Sequence, residues 1–90
     1  MEKQKFIVRC DRAGVFYGEI EERNGREIKM RTVRNLWYWD GAATLLQLAA
    51  EGTTSPGNCK FTMTVDNLEV LDAIEVIPCT DRAIKSIEAV

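Results

Sequence analysis

The feature that most constrains the fold is a pair of strand-like segments on either side of a short turn. Residues 15–22 and 26–33 alternate between apolar and polar positions, and Arg23-Asn24-Gly25 separates them. A three-residue loop with its glycine in the left-handed region pairs Ile20 with Ile28, so that the apolar side chains of both segments share one face. The sequence therefore predicts a β-hairpin with a buried apolar face, because a one-residue slip would expose that face.

The opposite face of this hairpin is predicted to carry charged and aromatic side chains. In the same register Glu19 lies opposite Lys29, and Tyr17 lies opposite Arg31. The first pair would be a favourable cross-strand ion pair, and in the second an arginine would stack on an aromatic ring. Tyr17 and Arg31 are therefore expected to face solvent, where a ligand could reach them.

Three further strands are predicted outside the hairpin. Lys5–Cys10 is β-branched and apolar, and Cys59–Val65 alternates with Phe61 and Met63 facing inward. Leu68–Ile77 is almost continuously apolar, which is typical of a central strand buried on both faces.

Two helices are predicted from capping residues and apolar spacing. Asp40 is expected to cap a helix over Ala42–Glu51, which Gly52 ends in the left-handed region. Thr80 is expected to cap a shorter helix over Asp81–Ala89. The residues at core-facing spacing are Ala42, Leu45, Leu46, Leu48 and Ala49 in the first helix, and Ala83, Ile84 and Ile87 in the second.

Together these segments predict an α+β fold: a small antiparallel β-sheet, or a partly open β-barrel, of about five strands with one central helix and a short C-terminal helix. The 90 residues are expected to form a single domain, 1–90, because two smaller cores would each lack stability. A hydrophobic content of 46% is generous for this length, so we expect a homo-oligomer that buries part of it between subunits. No apolar stretch approaches the roughly 20 residues that span a bilayer, and a signal peptide is not expected.

The charge balance and the missing residue types exclude several kinds of site. The formal net charge is −2, whereas a protein that grips duplex nucleic acid usually carries a basic field. The chain has no histidine, and Cys10, Cys59 and Cys79 form no CxxC pair, so we expect buried free thiols, no metal site and no cofactor. Without histidine or a phosphate-binding glycine motif, we do not expect an enzyme.

Three aromatic residues are consecutive at 37–39, and the two tryptophans, Trp37 and Trp39, are the strongest candidates for a binding surface. On an extended segment the three rings point to alternate faces, so they cannot all belong to the core. An exposed tryptophan beside Arg34 would be a platform for a nucleotide base, worth roughly 1–3 kcal/mol per stacked base. The alternative is that these rings fill the junction between sheet and helix, or a subunit interface.

Basic and hydroxyl side chains near this segment could complete a site for an anionic ligand. The loop Thr53–Asn58 offers hydroxyl groups that could close over a polar ligand, although turn formation explains them equally well. A solvated surface likewise explains the basic residues. The candidate contacts beside Trp37, Trp39 and Tyr17 are Arg12, Arg31, Arg34 and Lys60 for anions, and Thr54 and Ser55 for polar groups.

The sequence resembles a family of small proteins of unknown function from tailed phages and prophages. The resemblance covers nearly the whole chain and includes the signature R-x-x-WYWDGAA. The segments that carry it are Ala13–Gly18, Arg34–Ala49, Pro56–Phe61, Ala73–Glu75 and Ile77–Thr80. One position departs from the expected pattern, because Asn35 stands where a second arginine would follow Arg34.

The resemblance implies a phage immune-evasion protein that sequesters cyclic oligonucleotide signals of CBASS-type immunity in the host cell cytoplasm. Such a sponge needs aromatic faces for bases and cations for phosphates, but no catalytic group. A cyclic dinucleotide or trinucleotide could lie within one subunit or between subunits of a homo-oligomer.

Three other functions remain open on the sequence. The aromatic segment and the first helix could form an interaction module that inhibits a host protein. Binding of single-stranded nucleic acid is disfavoured by the acidic charge balance. An enzyme that degrades the signal would differ from a sponge in that the ligand would not return intact after denaturation.

Overall fold

The computed structural model describes residues 4–90, in which six strands and two α-helices alternate with short loops. A single 3-10 turn, Pro56–Asn58, lies between the first helix and the fourth strand. In chain order the elements are β1 (Phe6–Cys10), β2 (Val15–Asn24), β3 (Glu27–Tyr38), α1 (Leu45–Glu51), β4 (Lys60–Phe61), β5 (Val65–Val70), β6 (Ala73–Pro78) and α2 (Asp81–Glu88).

All six strands belong to one open sheet in which every pairing is antiparallel. The strand order is β4-β3-β2-β1-β6, and β5 also pairs with the long strand β3. The α+β class and the antiparallel sheet are therefore confirmed. The strand count is six rather than about five, because the apolar run predicted as one strand is divided in two.

The sheet is strongly curled, as the link between β5 and β6 requires. These strands lie at opposite edges, yet only Leu71 and Asp72 separate them. In a flat sheet four spacings of about 4.8 Å, roughly 19 Å in all, would separate them. Three residue steps reach at most about 11 Å. The predicted continuous strand Leu68–Ile77 is therefore wrong: the chain bends at Leu71–Asp72, and Ala73 N–H then donates to the Arg26 carbonyl at 3.1 Å.

The two faces of the curled sheet bury two separate cores. Neighbouring residues of β1 point in opposite directions, so that Ile7 joins one core and Val8 the other. The helix-side core packs sheet residues against both helices and comprises Ile7, Tyr17, Leu36, Leu48, Ala49, Cys79, Ala83, Ile84 and Ile87. The inner core lies within the curl and comprises Val8, Cys10, Ile28, Met30, Val33, Val70 and Ala73.

The predicted hairpin forms, but its register differs from the prediction. Asn24 pairs with Glu27, so the loop has two residues, and Ile20 pairs with Met30 rather than Ile28. The observed loop is Gly25-Arg26, whereas the predicted loop is Arg23-Asn24-Gly25, so the pairs along both strands differ from those predicted. Two β-bulges also interrupt the pairing of β2 with β3: one leaves Glu21 unpaired on β2, and the other adds a residue to β3 opposite Gly18.

The cross-strand pairs predicted for the outer face change with this register. Glu19 lies opposite Arg31 rather than Lys29, and Tyr17 lies opposite Arg34 rather than Arg31. The expected stacking of Arg31 on Tyr17 is therefore wrong, because the turn lies further along the chain than predicted and Tyr17 meets a later residue of β3.

The first helix is shorter than predicted and has a different cap. It begins at Leu45 because the Thr44 hydroxyl accepts a hydrogen bond from Gln47 N–H at 3.1 Å, so the prediction of Asp40 as the cap is wrong. Gly52 ends the helix with φ +80°, as predicted. Leu46, expected in the core, is exposed because the buried stripe of this short helix is limited to Leu48 and Ala49.

The second helix agrees closely with the prediction. Thr80 caps it through a hydrogen bond from Ala83 N–H, and Ala83, Ile84 and Ile87 are buried. Within residues 4–90, neither helix has the length and apolar character needed to cross a membrane.

The strand predicted over Cys59–Val65 is wrong over most of its length. Lys60–Phe61 forms β4 and Val65 already belongs to β5, whereas Met63, predicted to face the core, is 80% exposed. Thr62 explains the break: its hydroxyl donates to the Met63 carbonyl and accepts from Asn35 N–H. These local hydrogen bonds replace regular pairing until β5 begins at Val65.

Candidate ligand-binding site

A β-bulge at the end of β3 exposes two neighbouring aromatic rings. Leu36 pairs with Phe61 and Tyr38 pairs with Lys60, which leaves Trp37 as an extra residue on β3. Two consecutive residues then face one residue of the partner strand, and strict alternation of faces is lost. Trp37 is 61% exposed and Tyr38 is 49% exposed. An undisturbed strand would have turned one of these rings inward.

Lys60 places a positive charge beside the exposed rings. Its Nζ lies 5.3 Å from the centroid of the Trp37 ring, within the range of a cation–π interaction. The lysine is exposed, and among residues 4–90 no carboxylate pairs with its ammonium group. We call Trp37, Tyr38 and Lys60 the bulge site. It combines flat apolar surface with a cation, which suits a planar ligand that carries negative charge.

Trp39 points away from the bulge site. It is half-buried and packs against the helix-side core, in agreement with the alternative that this ring fills the junction of sheet and helix. Tyr38, which the sequence did not single out as a contact, takes the place expected for Trp39. No local signal in the sequence indicates that Tyr38 rather than Trp39 is exposed, because the bulge depends on the pairing of β3 with the distant β4.

Arg34 lies in β3, and its guanidinium group donates hydrogen bonds to other parts of the protein. Nε donates to the Thr62 carbonyl at 2.9 Å, while Nη1 and Nη2 donate to the backbone oxygens of Ile87 at 3.3 Å and Val90 at 3.1 Å. The guanidinium carbon also lies 5.4 Å from the centroid of the Phe61 ring. Because these donors are engaged within the protein, Arg34 links β3 to Thr62 and to the C-terminal end of α2.

Tyr17 is buried, so the prediction that it faces solvent is wrong. Only 2% of its surface is exposed, and its hydroxyl donates to the Glu88 carboxylate at 2.9 Å. Burial, and then the hydrogen bond with Glu88, raises the pKa of Tyr17 above its ordinary value. Tyr17 lies on the face opposite Phe16 and Ile20, as predicted, but the two helices cover that face and bury the ring.

Arg31 and Arg12 lie outside the bulge site. Arg31 forms an ion pair with Glu21 at 3.4 Å and precedes Trp37 by six residues, roughly 20 Å along an extended strand. Arg12 lies in the turn after β1 and lines an open groove of about 500 Å³ that includes Phe16 but neither exposed aromatic residue. Of the four predicted cations, the structure places Lys60 over an exposed aromatic ring, whereas Arg12 and Arg31 lie elsewhere and Arg34 binds backbone carbonyl groups.

Thr54 and Ser55 belong to a loop that is tied to the segment after β3. Both the amide and the hydroxyl of Thr54 donate to the Gly41 carbonyl at 3.2 Å. Ser55 N–H donates to the Thr53 hydroxyl, which in turn donates to the Asp40 carbonyl. The hydrogen bonds of Thr54 and Ser55 described here therefore stabilise the loop and its contact with Gly41.

Asp40 fastens the other end of this loop and so helps to place β4. Its carboxylate accepts hydrogen bonds from its neighbour Gly41 and from the Asn58 side chain, the latter at 3.2 Å. Asp40 N–H donates to Cys59 Sγ at 3.5 Å. Sequence reasoning read Asp40 only as a helix cap and missed these contacts, which fix the residues just before Lys60.

The family to which the chain belongs follows from its sequence match. Residues 3–87 match a protein family described as a domain of unknown function, DUF6948. The chain belongs to this family. The DUF6948 match includes the whole bulge site and the loop that fastens it, so the site is part of the family domain. Comparisons with curated proteins and with solved structures found no match. Within residues 4–90, no cluster of three Cys, Asp or Glu side chains is placed to hold a metal ion.

Proposed function

We propose that this DUF6948 domain binds and sequesters a cyclic oligonucleotide second messenger at the bulge site, without degrading it. The observation that carries the proposal is the exposure of the consecutive residues Trp37 and Tyr38, with Lys60 Nζ at 5.3 Å from the centroid of the Trp37 ring. A base stacks on an exposed ring, and the lysine ammonium group contacts a phosphate. Stacking contributes roughly 1–3 kcal/mol per base.

The resemblance to small tailed-phage proteins supports a cyclic oligonucleotide as the ligand. A protein of this kind acts in the cytoplasm of the infected host cell and lowers the concentration of free signal. The bulge site has stacking surface and charge, which are what stoichiometric binding requires. It offers one lysine per chain, so a ligand with several phosphates is well matched by a homo-oligomer in which each subunit contributes the same contacts.

Calorimetric titration against a panel of cyclic di- and trinucleotides tests the proposal. We expect one member of the panel to bind at micromolar concentration or tighter. Trp37→Ala, Tyr38→Ala and Lys60→Ala should each weaken that binding at least tenfold. Leu71→Ala is the matched control: it is exposed beside Val70, which pairs with Ile28 at the far end of β3. The absence of binding across the panel, or full affinity in all three site variants, would contradict the proposal.

Heating the complex separates sequestration from hydrolysis. We expect the bound cyclic oligonucleotide to return chemically intact after denaturation, in an amount equal to that bound. Recovery of linear or shortened products would indicate an enzyme instead.

Exposed apolar side chains after β4 and on α1 favour a second candidate, a module that inhibits a host protein. Met63 and Leu46 are largely exposed, and methionine and aromatic residues are enriched at protein interfaces. Capture of one defined host protein that persists after phosphodiesterase treatment, and that is lost in Met63→Glu, would favour this function over the sponge.

A further inference from the structure

Arg34 joins three parts of the fold that meet beside the bulge site. The residue itself belongs to β3, one of its hydrogen bonds reaches the chain just after β4, and two reach the C-terminal end of α2. We infer that Arg34 is a positioning residue: it holds β4 so that Lys60 stays over the Trp37 ring. The consequence for ligand affinity rests on the proposed function, whereas the positioning can be tested without ligand.

The strand β4 is too short to be held by its ladder alone. It has two residues, and only Phe61 and Lys60 have registered partners on β3. Residues 62–64 form no strand. Such a minimal pairing is marginal, so the position of Lys60 depends on contacts at the two ends of β4.

Both ends of β4 are fastened to β3 or to the segment that follows it. Before Lys60, Asn58 and Cys59 contact Asp40. After Lys60, the Arg34 guanidinium lies over the Phe61 ring and donates to the Thr62 carbonyl. Lys60 therefore lies between two attachments.

Asn35 strengthens the second attachment from the neighbouring position. Its carbonyl accepts from Thr62 N–H at 3.0 Å, and its own N–H donates to the Thr62 hydroxyl at 2.8 Å. These bonds hold Thr62 against β3 but do not reach Phe61 or α2. Arg34 supplies the hydrogen bonds that connect the end of β4 to the helix, in addition to the packing of Phe61 against the helix-side core.

The far side of the guanidinium is itself anchored at the C-terminal end of α2. A cation there is favoured because the last carbonyl groups of a helix lack partners within it. The planar fork of arginine reaches the Ile87 and Val90 oxygens and the Thr62 carbonyl together. A lysine ammonium group is a single point and cannot span all three.

Loss of this link should free β4 and lower ligand affinity, although Arg34 does not contact the ligand. The physical reason is preorganisation: if Lys60 leaves the Trp37 ring in the free protein, binding must restore its position. Arg34→Lys keeps the positive charge, so its effect reports geometry rather than net charge.

The side-chain NMR signals of Lys60 in the ligand-free protein test the positioning directly. Methylene protons above an indole ring are shifted upfield by the ring current, and Trp37→Ala identifies that shift. We expect Arg34→Ala and Arg34→Lys to move these signals at least halfway toward their values in Trp37→Ala. Arg82→Ala, an exposed arginine on α2, is the control and should leave them in place. Folded Arg34 variants with unchanged Lys60 signals would overturn the inference. If Arg34→Ala does not fold, Arg34→Lys and Arg34→Gln carry the same test.

A double-mutant cycle then distinguishes positioning from direct contact with the ligand. We expect Arg34→Lys to weaken binding about fivefold in the natural background and by less than twofold in a Lys60→Ala background, because it acts through Lys60. Equal losses in both backgrounds would show an independent contact and overturn the inference. If no cyclic oligonucleotide binds the natural protein, the proposed function fails, while the NMR result still decides the role of Arg34.

Discussion

Thr32 is the residue at which the β2–β3 pairing departs most from regular geometry. Its φ is +54°, a left-handed conformation that is rare for a β-branched residue. It lies at the bulge between the pairs Tyr17–Arg34 and Glu19–Arg31. Gly18 opposite it leaves the necessary room, since a Cβ there would lie 3.0 Å from the Thr32 carbonyl oxygen.

We predict that Thr32→Gly stabilises the domain. An L-residue in the left-handed region costs roughly 1–2 kcal/mol, and the greater freedom of glycine in the unfolded chain offsets part of the gain. The free energy of unfolding in urea should rise by about 0.5–1 kcal/mol. Thr64→Gly is the matched control at an exposed position without this conformation, and it should not stabilise the domain. A loss of stability in Thr32→Gly would show that the bulge does not strain this residue.

Because the thiols of Cys10 and Cys79 are buried, we predict that the free energy of unfolding falls at alkaline pH. Burial, with a smaller effect of Asp72, raises the pKa of Cys10 from 9.0 to about 11, and burial raises that of Cys79 to about 12. The folded state therefore keeps protons that the unfolded state releases. The two thiols contribute fully to the free energy of unfolding below pH 9. This contribution is lost as the pH rises through 11–12, by up to about 1.4 kcal/mol per pH unit for each thiol.

The measurement is the free energy of unfolding in urea between pH 8 and pH 10.5, compared with that of Cys79→Ala. The variant is expected to be less stable at pH 8 but to lose stability more slowly as the pH rises. Parallel curves for the two proteins would contradict this prediction.

At the scale of an element, the segment between β3 and α1 depends on one close approach of two loops. Gly41 has φ +82°, and a Cβ at this position would lie 2.5 Å from Ser55 N and 2.7 Å from Thr54 N. Neither loop can retreat without breaking the hydrogen bonds of Asp40 and Thr53. Glycine is therefore required where the signature places Asp-Gly.

Gly41→Ala is predicted to destabilise the domain by more than about 2 kcal/mol, since it adds both a clash and an unfavourable φ. Gly57→Ala is a matched control in the facing loop, because nothing lies within 4 Å of a Cβ there. It should change the free energy of unfolding by less than about 0.5 kcal/mol. Similar effects of the two substitutions in urea unfolding would argue against the close approach.

Helices and strands differed in how well the sequence predicted them. The second helix was predicted closely because Thr80 and the spacing of Ala83, Ile84 and Ile87 act within one element. The first helix was placed too early because Asp40, a good capping residue, is used instead to hold Asn58. A capping residue identifies a helix start only when no distant partner competes for it.

At the scale of the whole molecule, the curled sheet makes the two cores parts of one structure. Both strands of the hairpin, β2 and β3, contribute residues to both cores. In β1 the adjacent residues Ile7 and Val8 belong to different cores. Because both cores are built on the same strands, neither can form while the sheet is disordered.

We therefore predict a single cooperative unfolding transition. Ile7→Ala in the helix-side core and Val8→Ala in the inner core should each lower the free energy of unfolding, by about 2–5 kcal/mol for the isoleucine and somewhat less for the valine. In both variants, tryptophan fluorescence and far-ultraviolet circular dichroism should report the same midpoint in urea. Separate midpoints would show that the cores unfold independently.

By itself the sequence determined the α+β class, the hairpin, the end of α1 at Gly52 and the capped helix α2. These features depend on residues a few positions apart, whose conformational preferences and apolar spacing act locally. It also singled out the aromatic segment. Only the tertiary structure decided that Tyr17 is buried, that Arg34 links β4 to α2, and that Tyr38 rather than Trp39 stands beside Trp37. Each of these depends on a bulge or a contact between distant parts of the chain, and inserting one unpaired residue reverses which face a side chain occupies.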